Sequence, residues 1–267
     1  FGANSGGQWR RSTAEDVGKK ANFNRRSILE MLGIIPEVPT TGDYLEAIER
    51  KFGSLLFPPS KEFSALAREL SPPIKEFSSA DAAILEFFET EAAMFYQLEE
   101  TLILPKIKKG WRNVDDFFKD SLSWANRRKS RVGKGLENHL EAIFISRDIR
   151  FSRNPRTEAR KTPDFILPSI DRYNDNFYDA QKLRMVASKT TTKDRWRQIL
   201  SEAARVKSKH LFTLQSPISE HQTDEMIEAN VQLVVPRQQH HLFTESQQEN
   251  LWDLETLLHS LRSLQKL

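Results

Sequence analysis

Asp164 follows a proline at the head of an apolar run, Asp164-Phe-Ile-Leu167, and Lys189 lies just beyond a second, Leu183-Arg-Met-Val-Ala187. Both runs predict strands. A carboxylate on one strand and an ammonium on its neighbour can converge on one sheet edge, an arrangement suited to phosphodiester cleavage. There the carboxylate holds Mg²⁺, which polarises the scissile phosphate and lowers the pKa of a bound water. The lysine positions or activates that water and offsets anionic charge. The usual nuclease pattern also places an acid two residues before the lysine, and here that position is Ala187.

A second acid can come from the segment Thr190–Val206. Its threonines suit an N-cap, Asp194 suits the first turn, and the spacing predicts a helix over 192–206. Trp196, Ile199, Leu200, Ala203 and Val206 form the expected buried stripe, with Arg195, Gln198 and Glu202 on a neighbouring one. Arg195 and Glu202 would be about 10 Å apart along the axis. The helix tip could then meet base edges while Glu202 joins Asp164 at the metal. The competing reading is a surface helix laced by Asp194–Arg197 and Glu202–Arg205 ion pairs.

Several elements must position these groups. Helices are expected over 26–33, 44–53 with Asp43 as cap, 60–70 between Pro58-Pro59 and Pro72-Pro73, 80–103 ended by Pro105, and 113–125. A basic stretch, 126–134, leads into a helix over 134–147. Beyond it, strands at 164–167, 183–187, 210–214 and 231–235 alternate with helices at 192–206, 219–228 and 249–267. That order predicts an α/β sheet with helices on both faces, preceded by an all-α N-terminal region. The expected division is 1–110 and 111–267, with the first 25 or so residues poorly ordered.

Composition bounds the function classes. The 267 residues include no cysteine, which excludes disulfide scaffolds and thiol catalysis and fits a reducing cytoplasm. No apolar run is long enough to span a membrane. The six histidines lack zinc spacing, and no Walker or G-x-G-x-x-G loop supports nucleotide-dependent chemistry. Net charge is only +3 but is unevenly spread. Residues 60–104 carry 9 acids against 3 bases, and residues 126–161 carry 11 bases against 4 acids. A basic footprint of that kind suits nucleic acid, although two oppositely charged faces could instead pack together. The chain starts with Phe rather than Met, as a piece of a longer chain would.

Asn126–Glu137, Thr162-Pro-Asp-Phe165, Lys189–Leu200, His210–Gln215 and Leu233-Val-Val-Pro236 together resemble the catalytic domain of EcoRII-type restriction endonucleases. The resemblance is strong over 114–237 and weaker over 60–113. It implies a PD-(D/E)XK mixed sheet flanked by helices, with the second acid moved onto the following helix. It implies a type II, Mg²⁺-dependent endonuclease of a prokaryotic cytoplasm, cutting double-stranded DNA at a palindrome built on CC/GG. Asp164 and Glu202 would bind metal, with the Ser188 carbonyl as a further ligand and Lys189 as the catalytic lysine. Glu137 would be an auxiliary acid and Tyr173 an active-site neighbour. Lys193, Asp194 and Arg195 would read bases, since Arg pairs bidentately with guanine and a carboxylate accepts from cytosine N4. The family often has Arg where Lys193 stands, and Lys contacts guanine with less directional geometry. Arg127, Arg128, Lys129, Arg131, Lys134 and Arg197 would hold backbone phosphates.

The alternative function is a sequence-specific DNA-binding module on the same fold that does not cut. A two-fold-symmetric site cut on both strands requires a homodimer or higher assembly. Phe87, Phe88, Phe95 and Tyr96 offer more aromatic surface than one helix face can bury, which makes the helical half the expected place for extra subunit contacts; the alternative is that this surface packs wholly inside one subunit and the dimer forms through the catalytic domain alone.

Overall fold

The computed structural model describes residues 44–266, so the helix expected at 26–33 and the Asp43 cap lie outside the described residues. Helices α1 (Tyr44–Phe52), α2 (Ser60–Leu70) and α3 (Ala80–Lys109) meet through Ile48, Phe63, Leu66, Ala67, Met94, Phe95 and Leu98. Helix α4 (Val114–Ser146) then leads into a five-stranded sheet. No helix among the described residues is long and apolar enough to cross a membrane.

Two helix boundaries differ from expectation. Pro105 lies inside α3, which stops instead at Gly110, where φ is +73° and the left-handed region ends the helix at no Cβ cost. The expected break between 125 and 134 is absent, because α4 runs 33 residues without interruption. Its basic middle is held by packing: the Arg127 guanidinium lies 4.4 Å from the Phe57 ring centre and that of Arg131 lies 4.9 Å from Phe63. The Asn113 side chain caps α4 by accepting from the Asp116 N–H, and Ser79 does the same for α3 from Ala82.

The sheet order is β1 (Ser152–Arg153), β2 (Phe165–Leu167), β3 (Arg184–Ser188), β4 (Lys209–Phe212) and β5 (Val231–Val234). The first three strands are mutually antiparallel and the last three parallel. The two-residue β1 was not expected, being too short for alternation to register. Elsewhere the period of two works as anticipated. Phe165, Leu167, Val186, Phe212 and Val234 face a core shared with Leu136, Leu140, Ile143 and Phe144 of α4 and Ile84 and Phe88 of α3. Ile166, Met185, Ala187, Leu211 and Leu233 face the opposite core with Tyr173, Trp196, Ile199 and Met226.

Short helix α5 (Ile170–Asn174) joins β2 to β3, and α6 (Glu220–Glu228) joins β4 to β5. The expected C-terminal helix at 249–267 is α8 (Leu254–Lys266), preceded by a short helix α7 (Glu245–Gln248) that was not expected. Asp81 of α3 accepts the Leu254 N–H at 2.9 Å, so α8 starts where a buried carboxylate satisfies its first free donors. Of the aromatic residues expected on α3 as a subunit surface, Phe87, Phe88 and Phe95 are instead buried inside this one chain, as the alternative had it, and Tyr96 is half-buried. They pack because the middle of α3 is enclosed by α1, α2 and α4. Ile107 near the end of α3 and Val114, Phe118 and Leu122 of α4 are among the large apolar groups left exposed.

Candidate active site

Register brings the first two groups together. Phe165 pairs with Val186 in the antiparallel β2–β3 ladder, so Asp164, one residue before β2, reaches the end of β3. There its Oδ2 accepts the Ser188 N–H at 2.7 Å and the Lys189 Nζ at 2.8 Å. Both side chains are largely enclosed, at 10% and 17% exposure for Asp164 and Lys189. The Lys189 backbone N–H continues the parallel ladder to the Phe212 carbonyl. The lysine is therefore fixed by the sheet at one end and by the carboxylate at the other.

Glu202 arrives by a different route from the one its sequence suggests. The expected α-helix over 192–206 is a 3₁₀ segment, Lys193–Ser201, and Glu202 lies just past its end in extended backbone, φ −93° and ψ 145°. Trp196 and Ile199 are buried within it and Ala203 and Val206 beyond its end, while Leu200, expected in the buried stripe, is 39% exposed. Of the two expected helical ion pairs, Glu202–Arg205 does not form, and the Asp194 side chain of the other lies outside the described residues. Arg197 pairs with Glu225 at 2.6 Å, and Arg205 donates to the carbonyls of Tyr173, Asp175 and Tyr178.

The half-buried Glu202 carboxyl is pushed above its ordinary value by burial, pulled back by Lys189 and pushed up again by Asp164. Its Oε2 is buried without a hydrogen-bond partner. Beneath it, the buried Lys209 donates to the Val206 carbonyl at 2.7 Å and the Ala203 carbonyl at 3.4 Å, holding the turn that follows Glu202. Burial lowers the Lys209 pKa, and Glu202 and Glu158 oppose that.

Glu137 projects from α4 toward the same edge. Burial raises its carboxyl and the Asp164 charge adds to the rise, while Arg153 and the Asn154 side chain act the other way. Arg153 of β1 reaches Glu137 at 3.3 Å, Glu141 at 2.6 Å and the Asn138 Oδ1 at 2.7 Å. Tyr173, buried on α5, donates to Glu158 at 2.5 Å, and burial followed by that bond pushes its hydroxyl up to about 12. The Glu158 carboxyl, which burial alone would raise, is held low by the Tyr173 hydroxyl, backbone donors and Arg205.

The remaining expected contacts divide. Arg195 is exposed at the start of the 3₁₀ segment, and the preceding Thr192 is anchored by its N–H and hydroxyl to Gln215 Oε1. The side chains of Lys193 and Asp194 lie outside the described residues. Lys129 and Lys134 are exposed. Arg128 is paired with Glu99 at 2.5 Å, and Arg131 donates to the Pro58 carbonyl at 2.6 Å. Sequence reasoning passed over Arg153, Asn154, Glu158, Lys161 and Lys209. Only the local density of bases in 147–161 signalled any of them.

A family model described as EcoRII C terminal matches residues 95–258. The chain belongs to this family. The matched span of this EcoRII C-terminal region contains Asp164, Lys189, Glu202, Glu137 and Tyr173. A curated relative, the type II restriction enzyme EcoRII of Escherichia coli, is 41% identical over 211 residues, covering 79% of this chain and 52% of that protein. The chain thus spans about half the length of this relative. Among solved structures, metal-depleted Ecl18kI in complex with uncleaved, modified DNA aligns with a TM-score of 0.65 at 18% identity, covering 84% of each chain. A PspGI–substrate DNA complex aligns at 0.63 and 13% identity, covering 85% of this chain and 97% of that one. The fold is the PD-(D/E)XK restriction-endonuclease fold, as its sequence resemblance implied.

Proposed function

We propose that this chain carries the catalytic centre of a type II restriction endonuclease, hydrolysing phosphodiester bonds of double-stranded DNA at a specific site. The observation that carries this is the pairing of Asp164 with Lys189 at one sheet edge, within electrostatic reach of a buried, unpartnered Glu202 oxygen. A binding module has no use for such a set. The relatives named above are restriction enzymes, and two of the solved ones hold DNA.

The residues fit a hard divalent cation such as Mg²⁺. The Asp164 charge raises the cost of ionising both Glu202 and Glu137, and a cation beside Asp164 relieves it. Among the described residues no group of three or more histidines or carboxylates has metal-cluster geometry. Two carboxylates and the Ser188 carbonyl would suffice, since Mg²⁺ keeps several waters. When bound, the cation supplies Lewis acidity at the scissile phosphate. Asp164 and Glu202 hold it. Lys189, with its charge fixed beside Asp164, orients the attacking water and offsets charge on the phosphate. Glu137 supports Asp164 from behind, itself steadied by Arg153. Tyr173 acts at a distance by fixing Glu158 and the Arg205 backbone.

Base reading falls to the segment starting at Thr192, where Arg195 is exposed and Lys193 and Asp194 are its neighbours in sequence. The site is a palindrome containing CC/GG, and cutting both strands together takes two copies of this chain. Asp164→Ala supplies the test: cleavage of a duplex substrate with Mg²⁺ falls at least about a hundredfold, while binding in EDTA persists. Retained cleavage by that variant overturns the assignment.

A further inference from the structure

The segment 154–163 between β1 and β2 is the most basic exposed loop beside the candidate active site, and it is built rather than slack. Pro155 and Pro163 are buried at its two ends. The Asn154 N–H donates to the Asp164 carbonyl at 2.9 Å, tying the loop's first residue to the active-site aspartate. The Thr157 N–H donates to the Lys161 carbonyl at 2.8 Å, and the Thr157 hydroxyl reaches the same oxygen at 3.2 Å. Ala159 and Arg160 sit at φ +52° and +61°, a costly left-handed conformation for residues with a Cβ, kept only where the surroundings impose it.

This rigid frame presents Arg156, Arg160 and Lys161, all exposed. None of the three side chains makes a hydrogen bond or ion pair with another described residue. The loop's one acid, Glu158, is bonded to the Tyr173 hydroxyl. Lys161 is near enough to Glu202 to act on its charge. By contrast, two of the arginines of α4, Arg128 and Arg131, are bound to Glu99 and to the Pro58 carbonyl.

We propose that loop 154–163 is a phosphate clamp, in which Arg156, Arg160 and Lys161 grip the DNA backbone next to the bond that is cut. The proposal rests on the endonuclease reading of the neighbouring site. Three unpaired cations on a fixed support match a row of phosphates. Interactions of this kind set position and affinity without reading sequence.

The test is fluorescence anisotropy in EDTA with cognate and random duplexes, between about 50 and 200 mM salt. It compares the parent protein with Arg156→Gln/Arg160→Gln/Lys161→Gln and with the charge-keeping Arg156→Lys/Arg160→Lys. The triple variant should weaken binding to both duplexes alike. Its plot of log affinity against log salt should be shallower by about 0.9 for each phosphate that the variant no longer neutralises. The charge-keeping variant should keep the parent slope. Each single Gln variant should remove about one third of the effect, which gives a readout should the triple variant fold poorly. An unchanged slope overturns the clamp and leaves the active-site reading intact, as does a weakening confined to cognate DNA. A parent protein that neither binds nor cuts duplex DNA overturns the endonuclease reading itself.

Discussion

Lys189→Met separates the lysine's structural role from its chemical one. The substitution keeps most of the side-chain volume and removes the ammonium that sits 2.8 Å from Asp164 Oδ2. Both partners are largely enclosed, so breaking this pair leaves a carboxylate with one remaining donor, the Ser188 N–H at 2.7 Å. Removing one member of a buried pair costs about 3–5 kcal/mol, and the surviving bond places this case toward the lower figure. A domain with about 5–15 kcal/mol of stability remains folded at 25 °C after such a change. The chemical effect is separate. Removing one positioned charge costs at least about a hundredfold in rate, about 2.7 kcal/mol of barrier. Asp164 without its ammonium neighbour is also a more negative ligand, so half-saturation by Mg²⁺ should occur at the same or lower concentration. The assay is single-turnover cleavage of a labelled duplex across a Mg²⁺ titration, with urea unfolding of the same preparation. A variant that is folded and cuts within a few-fold of the parent refutes this account of Lys189. So does a variant whose whole defect is cured by more Mg²⁺.

Gly135→Ala should lower the melting temperature, although Gly to Ala inside a helix ordinarily stabilises by about 1 kcal/mol. A Cβ there would stand 3.1 Å from Glu91 Oε1, whose carboxylate is buried and paired with His139 at 2.9 Å, and overpacking costs about 1–3 kcal/mol; a raised melting temperature contradicts this packing. Tyr173→Phe should abolish an ultraviolet phenolate transition centred near pH 12, because burial and the Glu158 bond push that hydroxyl up to about 12. With the folded value above the unfolded one, the stability that Tyr173 contributes is fully present below the unfolded value of 10.0 and fades as pH rises toward the folded one, so the parent minus variant stability difference should shrink only in that alkaline range. The Glu202 carboxyl is raised, so the acid limb of cleavage should lie above the ordinary carboxylate range and move to lower pH as Mg²⁺ rises, protons and metal competing for the same oxygens. A limb indifferent to Mg²⁺ contradicts the place of Glu202 at the metal.

Much of the sheet and half of the site were legible in sequence, for identifiable reasons. Asp164 and Lys189 stand at the ends of runs whose alternation is enforced by two apolar cores, so their strands, and hence their convergence, followed from pattern. Glu202 was placed on the right segment with the wrong backbone. The stripe of Trp196, Ile199, Ala203 and Val206 has the 3-4-3 spacing of an α-helix, yet the backbone is 3₁₀ to Ser201 and extended at Glu202, and Lys209 grips the carbonyls of Ala203 and Val206 beyond it. Nothing local announces that grip. The basic run of α4 carried the same ambiguity. Its charges invited a solvated stretch and a helix break. Phe57, Phe63, Pro58 and Glu99, all far off in sequence, hold three of its arginines in the helix. Pro105 misled as a terminator because α3 continues to a better stop at Gly110. The apolar surface of α3 looked excessive only because the helices enclosing it could not be counted from the sequence of one helix.

Digestion of a plasmid of known sequence with Mg²⁺, followed by sequencing of the product ends, tests the central claim most directly. The account predicts discrete fragments whose ends fall at a single palindromic site containing CC/GG, with both strands cut, and no products in EDTA or from Asp164→Ala. Intact plasmid under all metal conditions, or ends scattered without sequence preference, would contradict it.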